Sequence, residues 1–282
     1  MNATGPTPRF GSVDIAAHHS PDGILDITVL SPALRRRADV SLFVPDGADA
    51  DAPLPLLVLL HGVYGSHWSW ARSGRAHDTV QRLVHAEAIR PMVVAMPSDG
   101  LIGVGSGYVS GGEVDAEAWI ADEVPAVVRI RYPGAGAAGM AVAGLSMGGW
   151  GALRLAARRP ERYGAAVGMS PLTHWAHVGQ YAGTGSRYES AHQVEQPDLA
   201  ELLISRKTTL PPLRITCGTG DALLPHVAAL RASLETEGVE FEYEEADGGH
   251  EWPVWERELG SSLLFIDRHL QSGVDVHGGP EG

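Results

Sequence analysis

The chain has a single cysteine, Cys217, in 282 residues. A lone thiol cannot close an internal disulfide, so nothing covalent staples the fold, and the redox setting leans to reducing. Basic charge is scarce as well: 21 Lys and Arg residues face 34 Asp and Glu, a formal net charge of -13. That balance argues against a nucleic-acid or anionic-membrane partner, because both need a basic patch. Lys207 is the only lysine, a bias we read as genome composition. Long apolar runs are missing too. The longest, "PLPLLVLL" at 53–60, is far short of the roughly 20 residues of a membrane-spanning helix. The first residues, "MNATGPTPRFGSVD", have no charged segment followed by an apolar one, so no secretory signal is read and the expected location is cytoplasmic. Internal repeats and low-complexity blocks are lacking.

A hydrophobic share of 44% and a charged share of 20% describe a globular chain, long enough to bury a large core within one domain spanning 1–282. The Gly/Pro/polar ends, 1–10 and 272–282, read as frayed. "GSVDIAAHH", "GILDITVLSP" and "ADVSLFVPDG" alternate and end in turn residues, the pattern of early antiparallel strands. The pattern then changes. "LPLLVLLHG", "PMVVAMPSDG", "GMAVAGLS", "YGAAVGMSP" and "PLRITCGTGD" are continuous apolar runs, as in strands buried on both faces. "VEFEYEEADGG" is more polar and belongs nearer a sheet edge. Helical segments at 73–89, 117–132, 148–163, 226–238 and 253–271 lie between or after these runs. Strand and helix in alternation predict an α/β fold: a mostly parallel central sheet with helices on both faces. Residues 171–210 are too long for an ordinary connection and are expected to form a small lid over the carboxyl ends of the strands.

Chemistry concentrates at that edge. "AVAGLSMGGWGALRLAARR" carries Gly144-Leu145-Ser146-Met147-Gly148 between an apolar strand and an amphipathic helix, the context in which a G-x-S-x-G turn exposes a nucleophilic serine. A serine hydroxyl needs a base, and the base needs a group to orient it. The strand after the proposed lid ends near Asp221. The next strand, parallel to it through one helix, ends in "DGGHEW" with His250. Asp221 and His250 therefore leave adjacent strands at the edge where Ser146 stands. Asp198 and Asp247 are rival acids, the first in the lid segment and the second in a glycine turn. Two backbone donors would complete the site: the Met147 N–H, and the Val63 N–H in "LLVLLHGVYGSHWSW". His61 in that loop is expected to be structural. His67, Trp68 and Trp70 read first as packing, while Tyr64, Trp68 and Trp252 are candidate pocket walls. "HEWPVW" superficially opens like a zinc helix, but Val254 stands where the second histidine is needed and Pro253 would break the helix. No metal and no cofactor is called for.

At "LLHGVYGSHWSW", "MPSDG", "GLSMGGWGAL", "CGTGD" and "GGHEWPVW" the chain resembles the Putative-esterase branch of the α/β-hydrolases, over about residues 24–271. That branch includes tributyrin-type acyl esterases, feruloyl esterases, S-formylglutathione hydrolases and mycolyltransferases. The resemblance implies an α/β-hydrolase fold and Ser146, Asp221 and His250 as a triad, with Val63 and Met147 as oxyanion donors. It implies small-molecule carboxylic esters as substrates. Two departures stand out. The stretch 98–119 is glycine-rich and polar, and the formylglutathione hydrolases' G-H-S-M-G-G-H-G tract is missing. Three functions from different classes follow: a serine carboxylesterase for small or short-chain acyl esters, an acyltransferase on the same triad, and a non-catalytic binding module on the same fold. A homo-oligomer is compatible with any of them.

Overall fold

Alternation in the first strands produces the antiparallel side of the sheet. The computed structural model describes residues 16–49, 51–111, 113–178 and 198–272. Strands β1 (Ala16–His19), β2 (Leu25–Ser31) and β3 (Arg36–Phe43) pair antiparallel in that order. In β2, Leu25, Ile27 and Val29 turn inward while Leu30 faces water, as a period of two requires. The apolar runs form β4 (Leu54–Leu60), β5 (Val93–Pro97), β8 (Ala135–Leu145), β9 (Ala165–Met169) and β10 (Leu213–Gly218). A two-residue pair, β6 (Ser110–Gly111) with β7 (Val114–Asp115), stands apart. With β11 (Glu242–Ala246) the main sheet has, among the described residues, nine strands in the order β1-β2-β3-β5-β4-β8-β9-β10-β11, parallel from β5 onward. The acidic strand β11 is an edge.

Helices cover both faces. Leu56, Val58 and Leu60 of β4 face one core, shared with α4 (Val124–Arg131), α5 (Met147–Arg158), α6 (Leu199–Ser205) and α7 (Leu224–Thr236). Leu57 and Leu59 face the other, shared with α1 (Ser69–Arg72), α2 (Ala76–His85) and α8 (Trp252–Ser272). The single helix expected over 117–132 is divided. A short α3 (Ala116–Ala118) leads into a wide turn, Trp119–Glu123, where the Val124 N–H reaches back to the Trp119 carbonyl. Pro125 follows at once and has no N–H to give. Buried Glu117 binds Arg154 at 3.4 Å, Arg158 at 2.6 Å and Arg159 at 3.1 Å, tying this segment to α5.

One buried arginine ties the edge strand to the sheet and to α8. Arg214 on β10 is buried and reaches Glu242 at 3.2 Å and Glu244 on β11, and Ser261 on α8 at 3.1 Å. Of the segment expected as a lid, 179–197 lies outside the described residues. On its near side Leu172 and Val178 sink into the core, and on its far side Asp198 caps α6 by accepting the Ala200 N–H at 2.8 Å. Residues 1–10 and 273–282 also lie outside.

Candidate active site

Ser146 sits in a one-residue turn between β8 and α5, with φ 54° and ψ −119°. That conformation is strained for a side-chain-bearing residue and is held by its surroundings. The Ser146 N–H donates to the Met169 carbonyl at 2.9 Å, and its own carbonyl accepts from Trp150 at 3.0 Å. Close packing explains the flanking glycines. A Cβ on Gly144 would lie 2.4 Å from the main chain of Gly148, and one on Gly148 would lie 2.4 Å from the Leu60 carbonyl oxygen. Only hydrogen fits at either place.

Asp221 and His250 arrive from neighbouring strands. Gly218 and Ala246 close the β10–β11 register, and the pairing continues beyond it. The Thr219 N–H donates to Ala246 and the Gly220 N–H to Gly248, both at 2.8 Å. The two loops therefore leave the sheet side by side. His250 Nε2 lies 3.0 Å from Ser146 Oγ, and its Nδ1 lies 2.8 Å from Asp221 Oδ2. The Asp221 side chain is wholly buried, and its Oδ1 accepts the Leu223 N–H at 2.8 Å. Burial pushes this carboxyl's pKa up. The hydrogen bond and charge of His250, with the Leu223 N–H, outweigh that and hold it below the usual carboxylate value. Of the rival acids, Asp198 spends its carboxylate capping α6, while it is Asp221 Oδ2, and not Asp247, that meets His250 Nδ1. Cys217, on the strand that leads to Asp221, is buried, which pushes its thiol up to about 12 and keeps it neutral.

The loop after β4 packs against the serine. A Cβ on Gly62 would lie 3.1 Å from that of Ser146, so the chain carrying Val63 passes directly beside it. Met147 is the first residue of α5, where an N–H has no acceptor within the helix. His61 is buried and fixes this loop. Its Nε2 accepts the Asp99 N–H at 3.1 Å, which leaves the proton on Nδ1 to donate to the Gly62 carbonyl at 2.8 Å. Burial lowers its pKa, in keeping with that neutral form.

Three supporting residues were not legible beforehand. Tyr108 donates its hydroxyl to the His61 carbonyl at 2.8 Å. Asp99 accepts the Leu101 N–H at 2.9 Å and the Ser106 N–H at 2.5 Å. Trp119 Nε1 donates to the Ser98 carbonyl at 2.8 Å. All three belong to the glycine-rich stretch at 98–119, which is thus a folded buttress for the loop of His61. Its only sequence signal is a tyrosine and an aspartate standing among glycines.

A cleft of about 570 Å³ opens over Ser146 and His250. Tyr64, Trp68 and Trp252 lie on its wall. Trp68 is 46% exposed and Tyr64 62%, so Trp68 is rim rather than core, while Trp70 is buried. Trp252 meets Trp70 and Trp255 edge-on, each at 5.4 Å. Glu251 takes the Gly249 N–H at 3.1 Å and braces the turn before His250. Among the described residues no three His, Cys, Asp or Glu side chains converge as a metal-holding group, and no helix is long and apolar enough to cross a membrane.

The family model for Putative esterase matches residues 31–266. The chain belongs to that family. This esterase is 24% identical over 275 residues to an acetyl esterase of Caldicellulosiruptor saccharolyticus, a match covering 87% of this chain and 98% of the relative. Among solved structures it is similar to a ferulic acid esterase, at 25% identity and a TM-score of 0.79, over 88% of this chain and 98% of that one. It shares its fold with the S-formylglutathione hydrolase of Staphylococcus aureus, at 19% identity and a TM-score of 0.72, over 89% and 98% of the two chains. The esterase has the α/β-hydrolase fold of these neighbours.

Proposed function

We propose that the esterase hydrolyses small or short-chain acyl esters through an acyl-enzyme on Ser146. The observation that carries this reading is the continuous line from Ser146 Oγ to His250 at 3.0 Å and from His250 to Asp221 at 2.8 Å. Ser146 Oγ attacks the ester carbonyl while His250 Nε2 takes its proton. Asp221 holds the His250 tautomer and stabilises the imidazolium. The N–H groups of Met147 and Val63 bind the developing oxyanion, a contribution of about 3–4 kcal/mol in sites of this kind. His250 then protonates the departing alcohol and later activates water against the acyl-enzyme. A cleft of about 570 Å³ suits a compact substrate. The similarity to an acetyl esterase and to a ferulic acid esterase supports the ester class without choosing the acyl group. A cytoplasmic place is in keeping with the single, buried thiol.

The test is a panel of p-nitrophenyl esters of increasing acyl length, run on the wild type and on Ser146→Ala. The expected results are a burst of p-nitrophenol from the wild type, free acid as product, and loss of at least about 10³-fold in kcat for the variant. Full activity in Ser146→Ala would overturn the proposal. Acyl products that follow the concentration of an added alcohol would assign transfer instead of hydrolysis.

A further inference from the structure

The cleft does not end at the tryptophans. A second groove, of about 540 Å³, runs between α2 and the start of α8 and is lined by Arg75, Arg82 and Arg257 with Asp78 and Glu256. The two spaces share Pro253, and their walls continue into one another. On one side Ser73 lines the cleft and Arg75 the groove, with only Gly74 between them. On the other side Trp252 faces the cleft and Glu256 the groove. Gly74 lets these walls approach, since a Cβ there would lie 2.7 Å from the Trp252 ring.

The charges in the groove are unequal in availability. Asp78 is taken by Arg75 at 2.7 Å and approached by His77 at 3.5 Å. Arg257 donates to the main-chain carbonyl of Asp247 and feels the charge of buried Glu258, but it makes no ion pair among the described residues. Arg82 makes no ion pair among the described residues, and of the carboxylates lining the groove Glu256 alone is left opposite these two guanidinium groups. Two available arginines beside the reactive cleft stand out on a chain with a formal net charge of -13. We infer that this groove is a subsite for an anionic group, a carboxylate, phosphate or sulfate, carried by the ester substrate at a distance from the scissile bond. Planar guanidinium groups suit oxyanions of this shape. The inference rests on hydrolysis at Ser146 and adds to it a charge preference.

The experiment compares matched esters. One arm uses p-nitrophenyl half-esters of dicarboxylic acids, with a free distal carboxylate and a graded number of methylenes, against neutral acyl chains of equal length. The other uses acetates of phenols with and without a carboxylate on the ring. The arms separate an anion on the acyl side from one on the alcohol side. In one arm the wild type should prefer the anionic ester, and the preference should fall as salt is added. Arg82→Gln and Arg257→Gln should each cut the anionic-to-neutral ratio of kcat/KM about three- to fivefold, through KM, as exposed charge pairs do. Arg131→Gln, an equal charge change on α4 across the sheet, should leave the ratio alone. Without a subsite the acidic chain simply repels anions, so salt would raise kcat/KM for the anionic ester. That result, or ratios unmoved by Arg82→Gln and Arg257→Gln, overturns the inference. Neutral esters cleaved in a Ser146-dependent way leave the catalytic reading standing in either case.

Discussion

Replacing Gly148 by alanine tests whether the serine turn is held by contact with the neighbouring strand. The added Cβ would lie 2.4 Å from the Leu60 carbonyl oxygen, 2.6 Å from its carbon and 2.7 Å from the His61 oxygen. All three are main-chain atoms at the end of a buried strand and cannot swing aside. Ordinary contact begins at 3.4 Å, so the start of α5 must retreat by about 1 Å. Ser146 Oγ stands 3.0 Å from His250 Nε2, and a retreat of that size takes it beyond hydrogen-bond reach. A misplacement of about 1 Å costs on the order of 10²-fold in rate. The overpacking itself costs about 1–3 kcal/mol, which a fold stable by about 5–15 kcal/mol survives. Gly148→Ala should therefore remain folded by circular dichroism, melt a few degrees earlier and lose about a hundredfold in kcat on an aryl acetate. Labelling by a fluorophosphonate should slow in parallel. A variant with wild-type kcat would refute the idea that this contact sets the serine's position.

Two further substitutions have defined outcomes. Gly260 lies inside α8, and a Cβ added there would meet nothing within 4 Å. Gly260→Ala should therefore raise stability by about 0.5–1 kcal/mol through helix propensity, and a urea melt showing destabilisation would contradict it. Asp221→Asn should lower kcat on the order of 10⁴-fold by losing the ionic partner of His250. Because the folded pKa of Asp221 is depressed, its carboxylate contributes stability that is present above the ordinary carboxylate pKa and lost as pH falls through the folded value. The stability gap between wild type and Asp221→Asn should thus be full at neutral pH and close below about pH 4; a gap undiminished at pH 3 would show that the charge has no part in it.

Much of this architecture was legible because it follows from local chemistry. Continuous apolar runs mark strands covered on both faces, and β4, β5, β8, β9 and β10 all came from such runs. The acids in "VEFEYEEADGG" placed β11 towards an edge, where it lies. The convergence of Ser146, Asp221 and His250 followed from chain order in a parallel sheet. What escaped was what depends on shape. Nothing in the spacing of Asp99, Tyr108 and Trp119 points to β4, since a buttress made of loop has no period. Trp68 read first as core because an indole is apolar, yet the turn at Gly65 carries it to the rim. The break before α4 was not read, although Pro125 stands just after it, and its form, a widened turn and not a stop, depends on how the carbonyl of Trp119 is reached.

Among the described residues the strand that delivers His250 has a neighbouring strand on one side only. Asp221 leaves a strand flanked on both sides, whereas the histidine follows β11, whose other flank meets no strand among the described residues. Arg214 compensates by gripping Glu242 and Glu244 on β11 together with Ser261 on α8. These two elements lie on either side of the His250 turn, so a single guanidinium anchors both ends of the segment that carries the base. On warming, detachment of this margin would separate base from nucleophile while the rest of the sheet still held, and the enzyme would fall silent before it melted.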